Sequence, residues 1–255
     1  TRPDGGRPRR LGALPVVGES LVALAWRPAT GQLYALGINA SNDTGTLYLL
    51  DPQTGGATAI GSPTQVAYTT NGTTPLDLPD PVTTGYGMDF DPATDRIRVA
   101  TGTGLNFRIL PSIGAALDGQ PLVTGNNPDL NITGLAAGST GLAGVAYTNS
   151  YGQPLTGGVR TLYGVDPAAN QLVIVNAPNS GTVTTRFPLT RGGAALDVAG
   201  ILAFDIPREV KVTASNPVAS GAGFATFVVA GVTGLYSVDL GSAKVTSLGA
   251  IGTGA

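Results

Sequence analysis

An all-β fold of tandem four-stranded sheets is what this 255-residue sequence predicts, and three observations predict it. Short segments recur with a period near 57 residues. Thirty-eight Gly and 19 Pro cut the chain into brief apolar runs, which is strand-and-turn punctuation. No window sustains apolar residues at the i, i+3, i+4, i+7 spacing of a helix.

Two markers carry the repeat. The first is Leu47-Tyr-Leu-Leu-Asp51, matched by Leu162-Tyr-Gly-Val-Asp166 and Leu235-Tyr-Ser-Val-Asp239, with a looser copy at Leu105-Asn-Phe-Arg-Ile109. The second is Leu24-Ala-Trp-Arg-Pro-Ala-Thr-Gly31, matched by Met88-Asp-Phe-Asp-Pro-Ala-Thr-Asp95, Val145-Ala-Tyr-Thr-Asn149 and Leu202-Ala-Phe-Asp-Ile206. The second series recurs after 64, 57 and 57 residues, and two independent markers on one period make a true repeat.

Each unit reads as four strands. In the first they are predicted at Leu21–Trp26, Gln32–Gly37, Gly45–Asp51 and Ala57–Gly61, with turns at Pro-Ala-Thr-Gly and Asp-Pro-Gln-Thr-Gly-Gly between them. Four-stranded units in tandem are the blades of a β-propeller, each burying faces it could not bury alone. Four blades fill residues 19–255 as a single domain. A fifth, degenerate blade built from the spacers 62–84, 120–139 and 207–223 is the alternative.

Ahead of the first unit lies Arg10-Leu-Gly-Ala-Leu-Pro-Val-Val-Gly18, a further predicted strand within an N-terminal arm, residues 1–18. The last unit already has four strands of its own: Gly200–Ile206, Phe224–Ala230, Gly234–Leu240 and Lys244–Ile251. The arm is therefore surplus. It either adds an edge to its own last blade, lies free, or pairs with a neighbouring molecule through Leu11, Ala13, Leu14, Val16 and Val17. Pairing between copies predicts a homo-oligomer, and a head-to-tail contact that does not close predicts a filament.

The missing residues restrict the chemistry. Without His there is no imidazole base or ligand, and without Cys no thiol nucleophile, disulfide or zinc finger. Lys and Arg (14) against Asp and Glu (16) give net charge −2, and Arg2, Arg7, Arg9 and Arg10 crowd into the first ten residues. The body of the chain is thus acidic, which argues against nucleic acid as a partner. No run of eighteen apolar residues exists, so no membrane span is expected. Low charge, abundant Thr, Gly and Ala and few oxidisable side chains predict an exported protein, and a first residue, Thr1, that is not Met predicts that a leader or tag has been removed.

The densest acidic group is Asp89, Asp91 and Asp95. Alternate strand residues share a face, so Asp89 and Asp91 offer oxygen ligands for Ca²⁺, whereas Asp before Pro is ordinary turn chemistry. No other cofactor is expected. No phosphate-binding loop and no carboxylate pair spaced for glycoside cleavage stands out. Tyr68, Tyr86 and Tyr151 are candidates for a carbohydrate-binding surface, with packing in turns the commoner use of such Tyr residues, and Asn39, Asn42, Asn71 and Asn131 head glycosylation sequons in predicted loops.

Through Trp26-Arg-Pro-Ala-Thr-Gly-Gln-Leu-Tyr-Ala-Leu-Gly37, Phe90-Asp-Pro-Ala-Thr-Asp-Arg-Ile-Arg-Val99 and Ala146-Tyr-Thr-Asn-Ser150, the chain resembles a bacterial family, domain of unknown function 4394. The likeness runs over roughly residues 18 to 252. It implies an exported propeller-type protein, and it brings no catalytic residue. The expected function is therefore a non-enzymatic extracellular or cell-surface protein, structural or adhesive, assembling through its N-terminal strand. A carbohydrate- or ligand-binding propeller is the alternative, and a calcium-dependent hydrolase or lactonase a second one.

Overall fold

The computed structural model describes residues 13–252. Blade one is β1 (Ser20–Trp26), β2 (Leu33–Asn39), β3 (Thr44–Leu50) and β4 (Ala57–Ala59). A hairpin, β5 (Thr69–Thr70) and β6 (Thr74–Pro75), follows it. Blade two is β7 (Tyr86–Asp91), β8 (Arg96–Thr101), β9 (Asn106–Ile109) and β10 (Ala116–Leu117). Blade three is β11 (Gly144–Tyr147), β12 (Leu162–Asp166), β13 (Gln171–Val175) and β14 (Val183–Pro188). After the hairpin β15 (Thr190–Arg191) and β16 (Ala194–Ala195), blade four is β17 (Gly200–Asp205), β18 (Ala222–Val229), β19 (Val232–Asp239) and β20 (Val245–Ala250).

Each blade is an antiparallel meander, and the four form a four-bladed β-propeller. The spacers supply one small hairpin, β5–β6, and irregular loops, not a fifth blade; the second hairpin, β15–β16, lies outside them between blades three and four. Four of the within-blade turns close in the same way. Asp51, Asp91 and Asp166 accept backbone N–H bonds from the residue two or three positions on, and Gly31, Gly55, Asp95 and Asn170 end their turns at positive φ. Those are residue types that tolerate the left-handed region.

Packing between blades is sequential. One buried cluster joins blades one and two through Tyr34, Leu36, Phe90 and Phe107. A smaller one joins blades two and three through Ala100, Val145 and Val173, and the largest joins blades three and four through Tyr163, Ile174, Phe204 and Phe227. Inner strands meet closely here. A Cβ on Gly87 would stand 2.6 Å from the Val145 nitrogen, and one on Gly144 would stand 2.5 Å from the Ile201 side chain. Only glycine lets β7, β11 and β17 pack this tightly.

Blades one and four are different. Among the described residues, no backbone hydrogen bond and no buried apolar cluster joins them. The face of blade one turned away from blade two carries Ala35, Tyr48 and Leu50, covered by Leu14 and Val16. The face of blade four turned away from blade three is left open: Phe224, Leu235 and Leu248 are 42%, 37% and 51% exposed.

Blade four holds four strands of its own, as the strand count anticipated. The expected arm strand is not what Ala13–Gly18 adopt. Leu11 lies outside the described residues, and positions 13–18 follow an irregular, turned path with no sheet pairing. Pro15 offers no N–H to a ladder, Gly18 turns the chain at φ +85, and Glu19 pins it by accepting hydroxyl bonds from Thr46 (2.6 Å) and Tyr48 (2.5 Å). Leu14 and Val16 are half-buried, and Ala13 and Val17 are exposed.

Candidate functional site

A cavity of about 620 Å³ lies on the propeller axis, lined by the innermost strand of every blade. It is of the size that small-molecule sites occupy. The repeat explains its walls. Leu24, Met88, Val145 and Leu202 are equivalent positions in the four units. Met88 and Val145 are buried where neighbouring blades press together, while Leu24 and Leu202, flanking the gap between blades one and four, are 50% and 64% exposed. Trp26, two residues after Leu24, is 52% exposed beside them. The cavity is thus an apolar channel that opens sideways at the uncovered interface.

Two carboxyl groups stand in this apolar lining, Asp89 on β7 and Asp205 on β17. Asp89 occupies a repeat position that is Ala25, Ala146 and Ala203 in the other units. Its oxygens accept N–H bonds from Phe90 and Tyr147, both at 2.7 Å. Asp205 is equivalent to Asp91 and accepts an N–H bond from Ile206 at 2.8 Å, its carboxyl open on the cleft side. Neither forms an ion pair among the described residues. Burial pushes the Asp89 carboxyl well above its ordinary range, the Asp205 and Asp91 charges push it further, and its two N–H bonds only partly offset this. Burial against the wall also raises Asp205. The site therefore holds two acids that resist ionising together, and among the described residues neither is paired with a basic side chain.

The three predicted calcium ligands are divided among separate partners. Only Asp89 lines the cavity. Asp91 accepts from Arg160 at 2.8 Å, and Asp95 is paired with Arg27, whose Nε donates to it at 2.9 Å. Both pairs bridge neighbouring blades at the rim, so these oxygens are spent on holding blades one, two and three together. Among the described residues no group of three acidic side chains comes together. The turn reading of Asp91 is the one the geometry supports, through its 3.0 Å bond from the Ala93 N–H.

The aromatic surface expected at Tyr68, Tyr86 and Tyr151 is corrected by packing. Tyr68 and Tyr86 are buried, with hydroxyls donating to the Arg108 and Pro79 carbonyls, and Tyr151 is half-buried under the Lys211 ammonium. The sequon residues Asn42, Asn71 and Asn131 are exposed, whereas Asn39 is half-buried and its side-chain oxygen accepts N–H bonds from Ser41 and Asn42.

Asp205 and the sideways opening were not legible from motif reading. The available signal was in the repeat itself: Leu202-Ala-Phe-Asp205 aligns with Met88-Asp-Phe-Asp91, which brings a carboxylate to the same end of an inner strand.

A second polar assembly is structural. Arg98, with a side chain only 1% exposed, donates to Asp129 (2.6 Å) and Asn106 (2.8 Å) and also to Asn179. Arg108 grips both oxygens of the same Asp129 at 2.7 Å. This network ties the spacer between blades two and three to β8 and β9. Among the described residues, no helix is long and apolar enough to cross a membrane. No curated protein is similar enough to the chain to match it. The repeat, the four blades and the order of the motifs agree with one family, and its model matches residues 11–255: the chain belongs to the domain of unknown function family DUF4394.

Proposed function

We propose that this chain is a non-enzymatic, exported propeller with a structural or adhesive role at the cell surface, and that copies of it assemble with one another. The observation that carries this reading is the incomplete interface. Blade four has its full set of strands and still leaves Phe224, Leu235 and Leu248 partly exposed, and among the described residues no strand pairs with the outer edge of β20 beyond the single bridge of Thr190 to Lys244. An apolar sheet face and an open edge are features that soluble proteins normally cover. The absence of His and Cys from the sequence supports a role that does not depend on thiol or imidazole chemistry.

In this reading the uncovered face of blade four receives the neighbouring copy. Residues 13–17 lie on the opposite side of the blade one–four gap, with Leu14 and Val16 against blade one, so a contact between the arm of one copy and blade four of the next is heterologous and propagates. The test is light scattering with negative-stain microscopy on the whole chain, on a variant lacking residues 1–18, and on Leu235→Asp. Particles growing with concentration, and reduced to monomers by Leu235→Asp, are expected. Single compact monomers at every concentration would refute assembly.

A further inference from the structure

The axial cavity is walled by β1, β7, β11 and β17, and none of Phe224, Leu235 and Leu248 lines it. From its geometry we infer that it binds a small molecule with an apolar body and one cationic head, a primary ammonium or a guanidinium, the head seated between Asp89 and Asp205. Three independent features point to this class. The volume, about 620 Å³, admits a ligand of some ten to twenty heavy atoms. The walls toward the open interface, Leu24, Trp26 and Leu202, present apolar surface with no protein group covering it, which an alkyl or aryl body would dry.

The third feature is the pair of carboxyls. Asp89 is placed at a repeat position where the other three blades carry Ala, a smaller side chain that packs there without a buried charge. A buried carboxyl without a counter-ion is costly, and such groups are expected to be paired. Every other buried Asp–Arg contact in the channel region is spoken for: Arg160 holds Asp91 and Arg27 holds Asp95. Among the described residues lining the cavity, the one basic side chain is Arg208, which is exposed. The counter-ion that the two acids lack is supplied by the guest. Because both acids resist ionising together, a cation that draws Asp89 into its carboxylate form releases a proton on binding.

The test uses three probes of equal length, hexylamine, hexanol and hexanoate, titrated calorimetrically into the intact protein at neutral pH. Hexylamine is expected to bind at least tenfold more tightly than hexanol, hexanoate is expected not to bind, and repeating the amine titration in buffers of different ionisation enthalpy should reveal net proton release. Asp205→Asn, at an exposed position, should weaken hexylamine at least tenfold and leave hexanol unchanged, and Trp26→Ala should weaken both. Equal binding of amine and alcohol, amine binding indifferent to both Asp205→Asn and Asp89→Asn, or no binding of any probe overturns the inference. Particle mass is read separately, so a failure here is distinct from a failure of assembly.

Discussion

Replacing Asp129 by Asn isolates what holds blade two to the spacer that follows it. The carboxylate lies between two guanidinium groups, takes one bond from Arg98 and two from Arg108, and its side chain is fully buried. The amide retains one acceptor oxygen, and its NH₂ group faces two cations. Arg98 keeps Asn106 and Asn179 but loses Asp129, its one ion-pair partner among the described residues, at a side chain 1% exposed. Leaving a buried charge uncompensated costs about 3–5 kcal/mol. That is a large part of the roughly 5–15 kcal/mol that stabilises a typical domain. Urea denaturation followed by circular dichroism should show the midpoint falling by roughly 1–2 M with an unchanged slope. Adding Arg98→Met to Asp129→Asn should recover part of the loss, because the orphaned cation is gone. A cost below about 1 kcal/mol, the size of an exposed pair, would refute the claim that this network is sealed from water.

Other expectations follow from the same coordinates. Asp89 and Asp205 are raised in the folded chain, so their contribution is fully present below the ordinary carboxylate value near 3.8 and is lost as pH rises through the raised values. Melting temperatures measured from about pH 4 to 8 should therefore fall less with pH in Asp89→Asn and Asp205→Asn than in the parent. Gly87→Ala puts a methyl 2.6 Å from the Val145 nitrogen and should cost about 1–3 kcal/mol by forcing β7 from β11, read as a lowered melting temperature. Arg27→Ala breaks the rim bridge to Asp95 and should cost on the order of 1 kcal/mol, with a smaller difference from the parent at high salt. Tyr48→Phe removes the hydroxyl bond to Glu19, costs about 1 kcal/mol, and should speed limited proteolysis before residue 20.

The strands of the first and last units were readable to within about two residues, because alternation, β-branched runs and Asp-Pro or Gly turns are local signals. The part of the arm that is described, residues 13–18, is not a strand: Leu14 and Val16 alternate as a strand would, but they pack on Tyr48 and Leu50, some thirty residues on. Asp89 was singled out by its neighbours Asp91 and Asp95, although those two are committed to arginines on other blades and its real companion is Asp205.

By itself the sequence determined the repeated four-strand units and the turns that join them, since the repeat period and local turn chemistry encode these directly, whereas the choice of four blades over five was made by the tertiary structure. It also determined which chemistries are excluded, because residues that are absent cannot be supplied by folding. Only the tertiary structure decided that the ring leaves blades one and four apart, which apolar side chains line a cavity, and which carboxyls are left without a cation. Those are properties of pairs distant in sequence: Asp89 in blade two and Asp205 in blade four have the whole of blade three between them and meet because the chain curves around an axis. A one-dimensional pattern holds no information about that curvature until the faces are packed.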